Sequence, residues 1–317
     1  MSPLHALVTG LLGMLIFLYG FLPMKLLKRN ELGNQPLPDD INGIGVNVSL
    51  LYKPAVNRLV LMVIDALRDD FVTSAESSTY MPYLSSVISR KEGFVFTSVI
   101  EPPTVTLPRI KAITMGLIPN YADMLLNVLE KDASSSNEES IVGRAYTSQR
   151  KVIFYGDDTW LRLFPESFLR AEGTTSFYVS DYTEVNYEMV MKIYCSIHAM
   201  KYISNFKVDD NVTRHLDVEL GKDDWDVMIL HYLGLDHIGH LHGPFSHLIP
   251  QKLMEMDLII QKLHQGLMKW GPSTLLVVCG DHGMKDTGGH GGASLSETRV
   301  PLVFISSLLS PQHGCSW

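Results

Sequence analysis

Three largely apolar runs, each followed by an aspartate, constrain this sequence more than any other feature. Leu59 to Ile64 (LVLMVI) ends at Asp65, Trp225 to Leu233 (WDVMILHYL) stops just short of Asp236, and Thr274 to Cys279 (TLLVVC) runs into Gly280-Asp281-His282. Runs of this kind are expected of strands buried on both faces of a parallel sheet. Phe94 to Ile100, Val152 to Tyr155 and Pro301 to Ser306 read as further strands. Pro108 to Met115 reads as the start of a helix with proline near its first turn, and Leu253 to Trp270 carries helical periodicity. Strands alternating with helices predict an α/β fold, and ligands in such folds bind at the carboxyl edge of the sheet. Three aspartates gathered at that edge repel one another, and a cation between them removes the repulsion.

Composition narrows the function classes. With 317 residues and 46% hydrophobic content, the chain suits one large domain or two small ones and excludes disorder. Lys+Arg 26 against Asp+Glu 34 argues against a nucleic-acid partner, which calls for a basic surface. Cys195, Cys279 and Cys315 are too few for a disulfide scaffold. Histidine is unevenly spread: of 12, those at 231, 237, 240, 242, 247, 264, 282 and 290 crowd into one short stretch. That crowding is the first pointer to a metal site.

The residues around the three aspartates sharpen the pointer. Taken alone, Asp65 is as easily a helix cap as a ligand. Asp236 and His240 stand four apart, on a turn that Gly239 is expected to open. Asp281-His282-Gly283 reads alone as a turn, and His290 sits in Gly288-Gly289-His290-Gly291-Gly292, where glycines permit close backbone approach to a ligand. Together these residues supply the mixture of Asp and His that zinc accepts. The segment Pro102-Pro103-Thr104-Val105-Thr106-Leu107-Pro108-Arg109 is different in kind. A threonine just before a helix is by default an N-cap, but it is also placed where the helix dipole favours an oxyanion. Threonine is a poor nucleophile at neutral pH unless a divalent cation lowers its pKa.

The chain divides into an expected anchor over residues 1–27, a linker over 28–57 and a catalytic domain over 58–317. Leu4 to Leu22 is almost free of charge and, at about 1.5 Å per residue, long enough to cross a bilayer as one transmembrane helix. Orientation is open on local signals. Lys25, Lys28 and Arg29 favour a cytosolic domain, whereas the sequons at Asn47 and Asn211 favour glycosylation on the other side. Lys28 to Asn57 is rich in Asn, Pro, Gly and Asp without sustained periodicity, and Lys131 to Glu139 (KDASSSNEE) reads as a solvated loop.

Val63-Ile64-Asp65-Ala66-Leu67-Arg68-Asp69-Asp70, the Pro-Pro-Thr-Val-Thr-x-Pro-Arg segment, Leu235-Asp236-His237-Ile238-Gly239-His240 and Gly280-Asp281-His282-Gly283-Met284 resemble the alkaline-phosphatase superfamily. More narrowly, with Phe154-Tyr155-Gly156-Asp157-Asp158-Thr159-Trp160, Asp181-Tyr182-Thr183-Glu184-Val185 and Asn211-Val212-Thr213-Arg214-His215-Leu216, the chain resembles the GPI ethanolamine phosphate transferases, in particular those that modify the second mannose. The likeness covers nearly all of Arg58 to Ser307. It implies an alkaline-phosphatase-like fold: a mostly parallel central sheet with helices on both faces. It implies two divalent metal ions, zinc in kind. One would be held by Asp65, Thr106, Asp281 and His282, the other by Asp236, His240 and His290, with His237 a ligand to neither. Thr106 is preferred over Thr104 as nucleophile because the family's nucleophile directly precedes an x-Pro pair.

The same likeness implies transfer of phosphoethanolamine from phosphatidylethanolamine to a mannose of the GPI precursor through a phosphoethanolamine-threonine intermediate. It also implies a catalytic domain on the lumenal side of the endoplasmic reticulum membrane and a small multi-span membrane subunit as partner. Asp157, Asp158 and Trp160 are candidates to meet the ethanolamine ammonium by charge and cation–π contact. The alternatives are a metal-dependent phosphodiesterase using water on the same ligands, and a membrane-anchored accessory module without catalysis. Two features depart from the family. Asn186 to Val208 is an added stretch, read either as a surface insertion or as a gene-model error. No second bilayer-length apolar run follows before Trp317, where relatives continue into a multi-span region, so a C-terminally truncated chain is expected.

Overall fold

Leu59 to Ile64 becomes a central strand because its neighbours on both sides are equally apolar and all run the same way. The computed structural model describes residues 3–21, 40–41, 44–45, 56–116, 118, 140–174 and 208–309. In chain order the main sheet comprises β1 (Arg58–Ile64), β2 (Gly93–Val99), β3 (Val152–Asp157), β4 (Arg170–Thr174), β5 (Val227–Tyr232), β6 (Thr274–Gly280) and β7 (Arg299–Ile305). Their spatial order is β2-β7-β6-β1-β5-β3-β4. Strands β6, β1, β5, β3 and β4 are parallel, whereas β7 runs antiparallel to both β6 and β2. The sheet is therefore mixed, with the expected parallel block at its centre. Ile64 lies opposite both Tyr232 and Gly280, so β1, β5 and β6 end level with one another. That register delivers the residues after each strand to one edge.

Helices cover both faces. After an N-terminal helix α1 (Pro3–Phe21), they include α2 (Pro82–Ser89), α3 (Thr106–Met115), α4 (Ile141–Thr147), α5 (Thr159–Leu163), α6 (Gly234–His242) and α7 (Leu248–Met268). Successive side chains of a strand point to opposite faces. Accordingly Val60, Met62 and Ile64 join one core with Leu84 of α2 and Met256, Ile260 and Leu263 of α7. Leu61 and Val63 join the other with Ile110 of α3, Val142 of α4 and Trp160 of α5. Burial on both faces is why β1 carries no polar residue after Arg58.

Three local readings change. Arg170–Thr174 is a strand that apolar patterning does not reveal: it pairs on one side only, with β3, and its half-buried Arg170 and Glu172 are met by ion pairs, Arg170 with Glu219 and Asp224 and Glu172 with His215. Asp236 and His240 lie on a helix, not on a turn opened by Gly239. A Cβ at Gly239 would fall 2.5 Å from Met284 Sδ, so that glycine lets α6 pack against the segment after β6. Helix α3 begins at Thr106, two residues earlier than the proline suggests.

At the amino end, α1 is helical and its side chains over 3–17 are exposed, Leu4, Leu11 and Ile16 among them. Among the described residues no helix is long and apolar enough to cross a membrane, so the expected bilayer span is not shown. Asn47, Lys131 to Glu139 and nearly all of Asn186 to Val208 lie outside the described residues, while Asn211 is half-buried in a helical stretch over 208–213.

Candidate metal centre

The level ends of β1 and β6 build the first half of the site. Asp281 Oδ1 accepts the backbone N–H groups of Ala66 at 3.2 Å and His282 at 2.8 Å, which turns Oδ2 inward. His282 Nδ1 lies 3.0 Å from the carbonyl of Gly283 and donates to it, so Nε2 carries the lone pair. This Nε2 sits 3.3 Å from Asp65 Oδ1 and 3.5 Å from Asp281 Oδ2. All three atoms are buried without a hydrogen-bond partner. Buried polar atoms are ordinarily paired. Three acceptor atoms facing one another cannot pair among themselves, and they fit a cation. Thr106 presents its hydroxyl 3.3 Å from the other Asp65 oxygen, Oδ2.

The second half adjoins it. Asp236 and His240 project one turn apart from α6, and His290 comes across from the glycine-rich loop. His240 Nε2 and His290 Nε2 lie 3.4 and 3.5 Å from Asp236 Oδ1 and 2.9 Å from each other. His290 Nδ1 is 2.6 Å from the Thr104 carbonyl and donates to it, leaving Nε2 as an acceptor. One cluster of potential ligand atoms is thus Asp236, His240 and His290, and a second is Asp65, Asp236 and His282, so the two share an aspartate. His237 falls in neither.

Electrostatics agree with the geometry. Burial, then Asp281, Asp236 and Asp157, hold the Asp65 carboxyl well above its usual range. Burial, then Asp281 and Asp157, do the same to Asp236. Burial is also the leading cause that lowers His240, His282 and His290, which keeps the rings neutral, the form that ligates metal. A divalent cation reverses the carboxylate penalty, because it favours the ionised form that the neighbouring aspartates disfavour.

The two threonines are separated by their surroundings. Thr104 is fully buried, and its hydroxyl is engaged by Gly291 N at 2.8 Å and the Gly292 carbonyl at 3.0 Å. Thr106 stands at the first turn of α3, facing Asp65. Of the residues expected at the ethanolamine, Asp157 is buried at the end of β3, accepting Thr159 N at 2.7 Å. Asp158 pairs with Arg162 at 2.9 Å. Trp160 corrects the expectation: it is fully buried and stacked on Phe154 at 5.5 Å, so its ring offers no face to an ammonium group. Its indole N–H instead donates to His231 Nδ1 at 3.0 Å. His231 belongs to a third potential ligand cluster, with Asp65 and Asp281, that motif reading missed. The sequence signals for it are its membership of the histidine-rich stretch and its place inside an otherwise apolar strand.

A buried ion pair starts α6. Asp209 Oδ1 accepts the N–H groups of Leu233 and Gly234 at 2.9 and 3.1 Å, and Oδ2 meets Lys252 Nζ at 3.0 Å with both side chains fully buried. Breaking such a pair from one side leaves an under-compensated charge. Asp209→Asn is expected to cost roughly 3 kcal/mol. A thermal melt of the purified variant checks this; an unchanged melting temperature contradicts it.

Comparison with known proteins places the chain in a family. Residues 59–297 match the type I phosphodiesterase / nucleotide pyrophosphatase family, and the chain belongs to it. Within that class, the chain is 42% identical over 310 residues to the GPI ethanolamine phosphate transferase 2 catalytic subunit of Homo sapiens, a match covering 96% of this chain and 29% of that one. The chain spans about a third of the length of the curated relatives it matches. Among solved structures, the C-terminal periplasmic domain of EcEptC from Escherichia coli in complex with Zn superposes with TM-score 0.53 at 12% identity, over 83% of this chain and 76% of that one. The soluble domain of lipooligosaccharide phosphoethanolamine transferase A from Neisseria meningitidis gives 0.51 at 15%, over 83% and 80%. Likeness at such identities establishes the shared alkaline-phosphatase-like fold.

Proposed function

We propose that this chain carries the catalytic site of a zinc-dependent transferase that moves phosphoethanolamine from phosphatidylethanolamine to a mannose, the second, of a GPI-anchor precursor. One observation carries the reading: a single threonine hydroxyl faces a set of buried, unpartnered carboxylate and imidazole atoms that fit divalent metal. The relatives named GPI ethanolamine phosphate transferase 2 support the donor and acceptor. In this reading the protein is a membrane enzyme of the endoplasmic reticulum, with this domain lumenal and residues 1–27, almost free of charge from Leu4 to Leu22, as its anchor.

In this reading Asp65, Thr106, Asp281 and His282 hold one metal ion, and Asp236, His240 and His290 hold the other. The ions, when bound, lower the pKa of the Thr106 hydroxyl and steady negative charge on the phosphoryl oxygens. Thr106 Oγ1 attacks phosphorus, and its proton has Asp65 Oδ2 as a near acceptor. The bond from phosphorus to the diacylglycerol oxygen breaks, and that oxygen takes up a proton. Phosphoethanolamine remains on Thr106 until the mannose hydroxyl displaces it and restores the threonine. The N-terminus of α3 adds a favourable dipole to the charge that develops there. Asp157, buried near Asp65 and Asp236, is the candidate counter-charge for the ethanolamine ammonium.

The test is a single-turnover reaction of the full chain, zinc added, with phosphatidylethanolamine in mixed micelles, followed by a mannoside acceptor. A phosphoethanolamine adduct on Thr106 that is discharged onto the mannoside supports transfer. An adduct discharged onto water alone identifies a phosphodiesterase. Metal without any adduct identifies an accessory module.

A further inference from the structure

His231 is buried within β5, fully excluded from solvent, and takes no part in the proposed transfer. Its Nδ1 receives the indole N–H of Trp160 at 3.0 Å. Indole nitrogen can only donate. Nδ1 therefore holds a lone pair, the ring is neutral, and its one proton sits on Nε2. That Nε2 is buried with no hydrogen-bond partner and lies 3.7 Å from Asp65 Oδ2, the oxygen that also meets Thr106. The surroundings are built around this ring. A Cβ at Gly156, whose φ is +147°, would fall 2.4 Å from the His231 carbonyl oxygen and 2.7 Å from its Cβ, so only glycine lets β3 press against His231. Four residues on, Trp160 of α5 is laid against it.

We infer that Trp160 and His231 form a positioning pair for the metal centre: Trp160 fixes His231 as an Nε2–H donor, and His231 aims that proton at Asp65 rather than ligating metal itself. By position alone His231 counts among potential ligands with Asp65 and Asp281. The tautomer imposed by Trp160 removes it from that set, because a ring nitrogen bearing hydrogen has no lone pair to give. Partners that orient metal ligands from behind are commonly worth about 10- to 100-fold in metal affinity. This inference rests on the metal reading of the centre.

The experiment uses the full chain with ¹⁵N-labelled histidine, observed by NMR before and after Zn²⁺ is added, with zinc affinity measured by competition against a chromophoric chelator. His231 Nε2 is expected to stay protonated throughout, while ring nitrogens of His240, His282 and His290 shift on binding. Loss of the His231 Nε2 proton when zinc binds overturns the inference and makes His231 a ligand. His231→Gln places an amide N–H where Nε2–H was and is expected to keep zinc affinity within about threefold, against a roughly 10- to 100-fold loss for His231→Leu. Trp160→Phe keeps the aromatic packing and removes the indole donor, so it is expected to relax the tautomer and weaken zinc binding. Equal affinities for His231→Leu and wild type, with both folded by circular dichroism, overturn the role alone. No zinc binding by the wild-type chain overturns the metal reading and this role with it, and is distinguished by leaving all histidine signals unmoved.

Discussion

Thr106→Ala is expected to lower the rate of phosphoethanolamine transfer by about 10³-fold or more and to erase the covalent adduct, since removing a nucleophile abolishes the covalent route. The expectation follows from where two neighbouring threonines sit. Thr104 is sealed between the Gly291 N–H and the Gly292 carbonyl and has no open side toward a substrate. Thr106 begins α3 and directs its oxygen at Asp65, beside the three unpartnered atoms of the first metal group. Thr106→Ser keeps the hydroxyl and should retain measurable activity and adduct. Thr104→Val should still form the adduct at Thr106, more slowly as the His290 loop loses its anchor. Rates of release of labelled diacylglycerol, with mass spectrometry of the 101–116 segment, decide the matter. An adduct on Thr104, or undiminished turnover in Thr106→Ala, removes the proposed mechanism.

Zinc is expected to raise the melting temperature of the full chain sharply, and chelation to reverse it. A ligand at roughly 1,000-fold above its dissociation constant stabilises by about 4 kcal/mol. For a domain of this size that corresponds to a shift of roughly 10 °C. The pH dependence has a definite sign. Asp65 and Asp236 have carboxyls raised above the ordinary range by burial first and by neighbouring aspartates second. A raised folded-state value means that, without metal, their protonated forms favour folding at low pH. That contribution is lost as pH rises from the unfolded value of about 4 through the raised folded one. Bound zinc favours the ionised carboxylates and neutral imidazoles, so its gain should be larger at about pH 7.5 than at about pH 5. Calorimetric melts at the two values, with and without chelator, read the difference directly. A zinc shift of equal size at both, or none at either, would falsify the assignment of these aspartates as ligands.

Much of the architecture was legible because burial on both faces leaves a plain mark on sequence. Leu59 to Ile64 and Thr274 to Cys279 are nearly pure apolar runs, and they became neighbouring parallel strands with little change of bounds. The strand at Arg170–Thr174 left no such mark, because an edge strand needs little apolar surface and its charged side chains are satisfied by ion pairs such as Arg170 with Glu219 and Asp224. Glycine at 239 suggests a break and hence a turn where the structure has the α6 helix. Its actual cause, the Met284 thioether pressed against that position, lies 45 residues along the chain.

The amino-acid order alone determined that aspartates follow buried strands, and that Asp, His and Thr of metal-site character were present: these are matters of residue type and neighbouring hydropathy. Only the tertiary structure decided which atoms meet. It paired Asp236 with both His240 and His290, gave Thr106 and not Thr104 to Asp65, sealed Trp160 away from solvent and set it on His231. The physical reason is that strand register and helix packing set distances to within an ångström between residues remote along the chain. Coordination, tautomer and hydrogen-bond donor roles depend on distances of that size, which no local pattern of residues encodes.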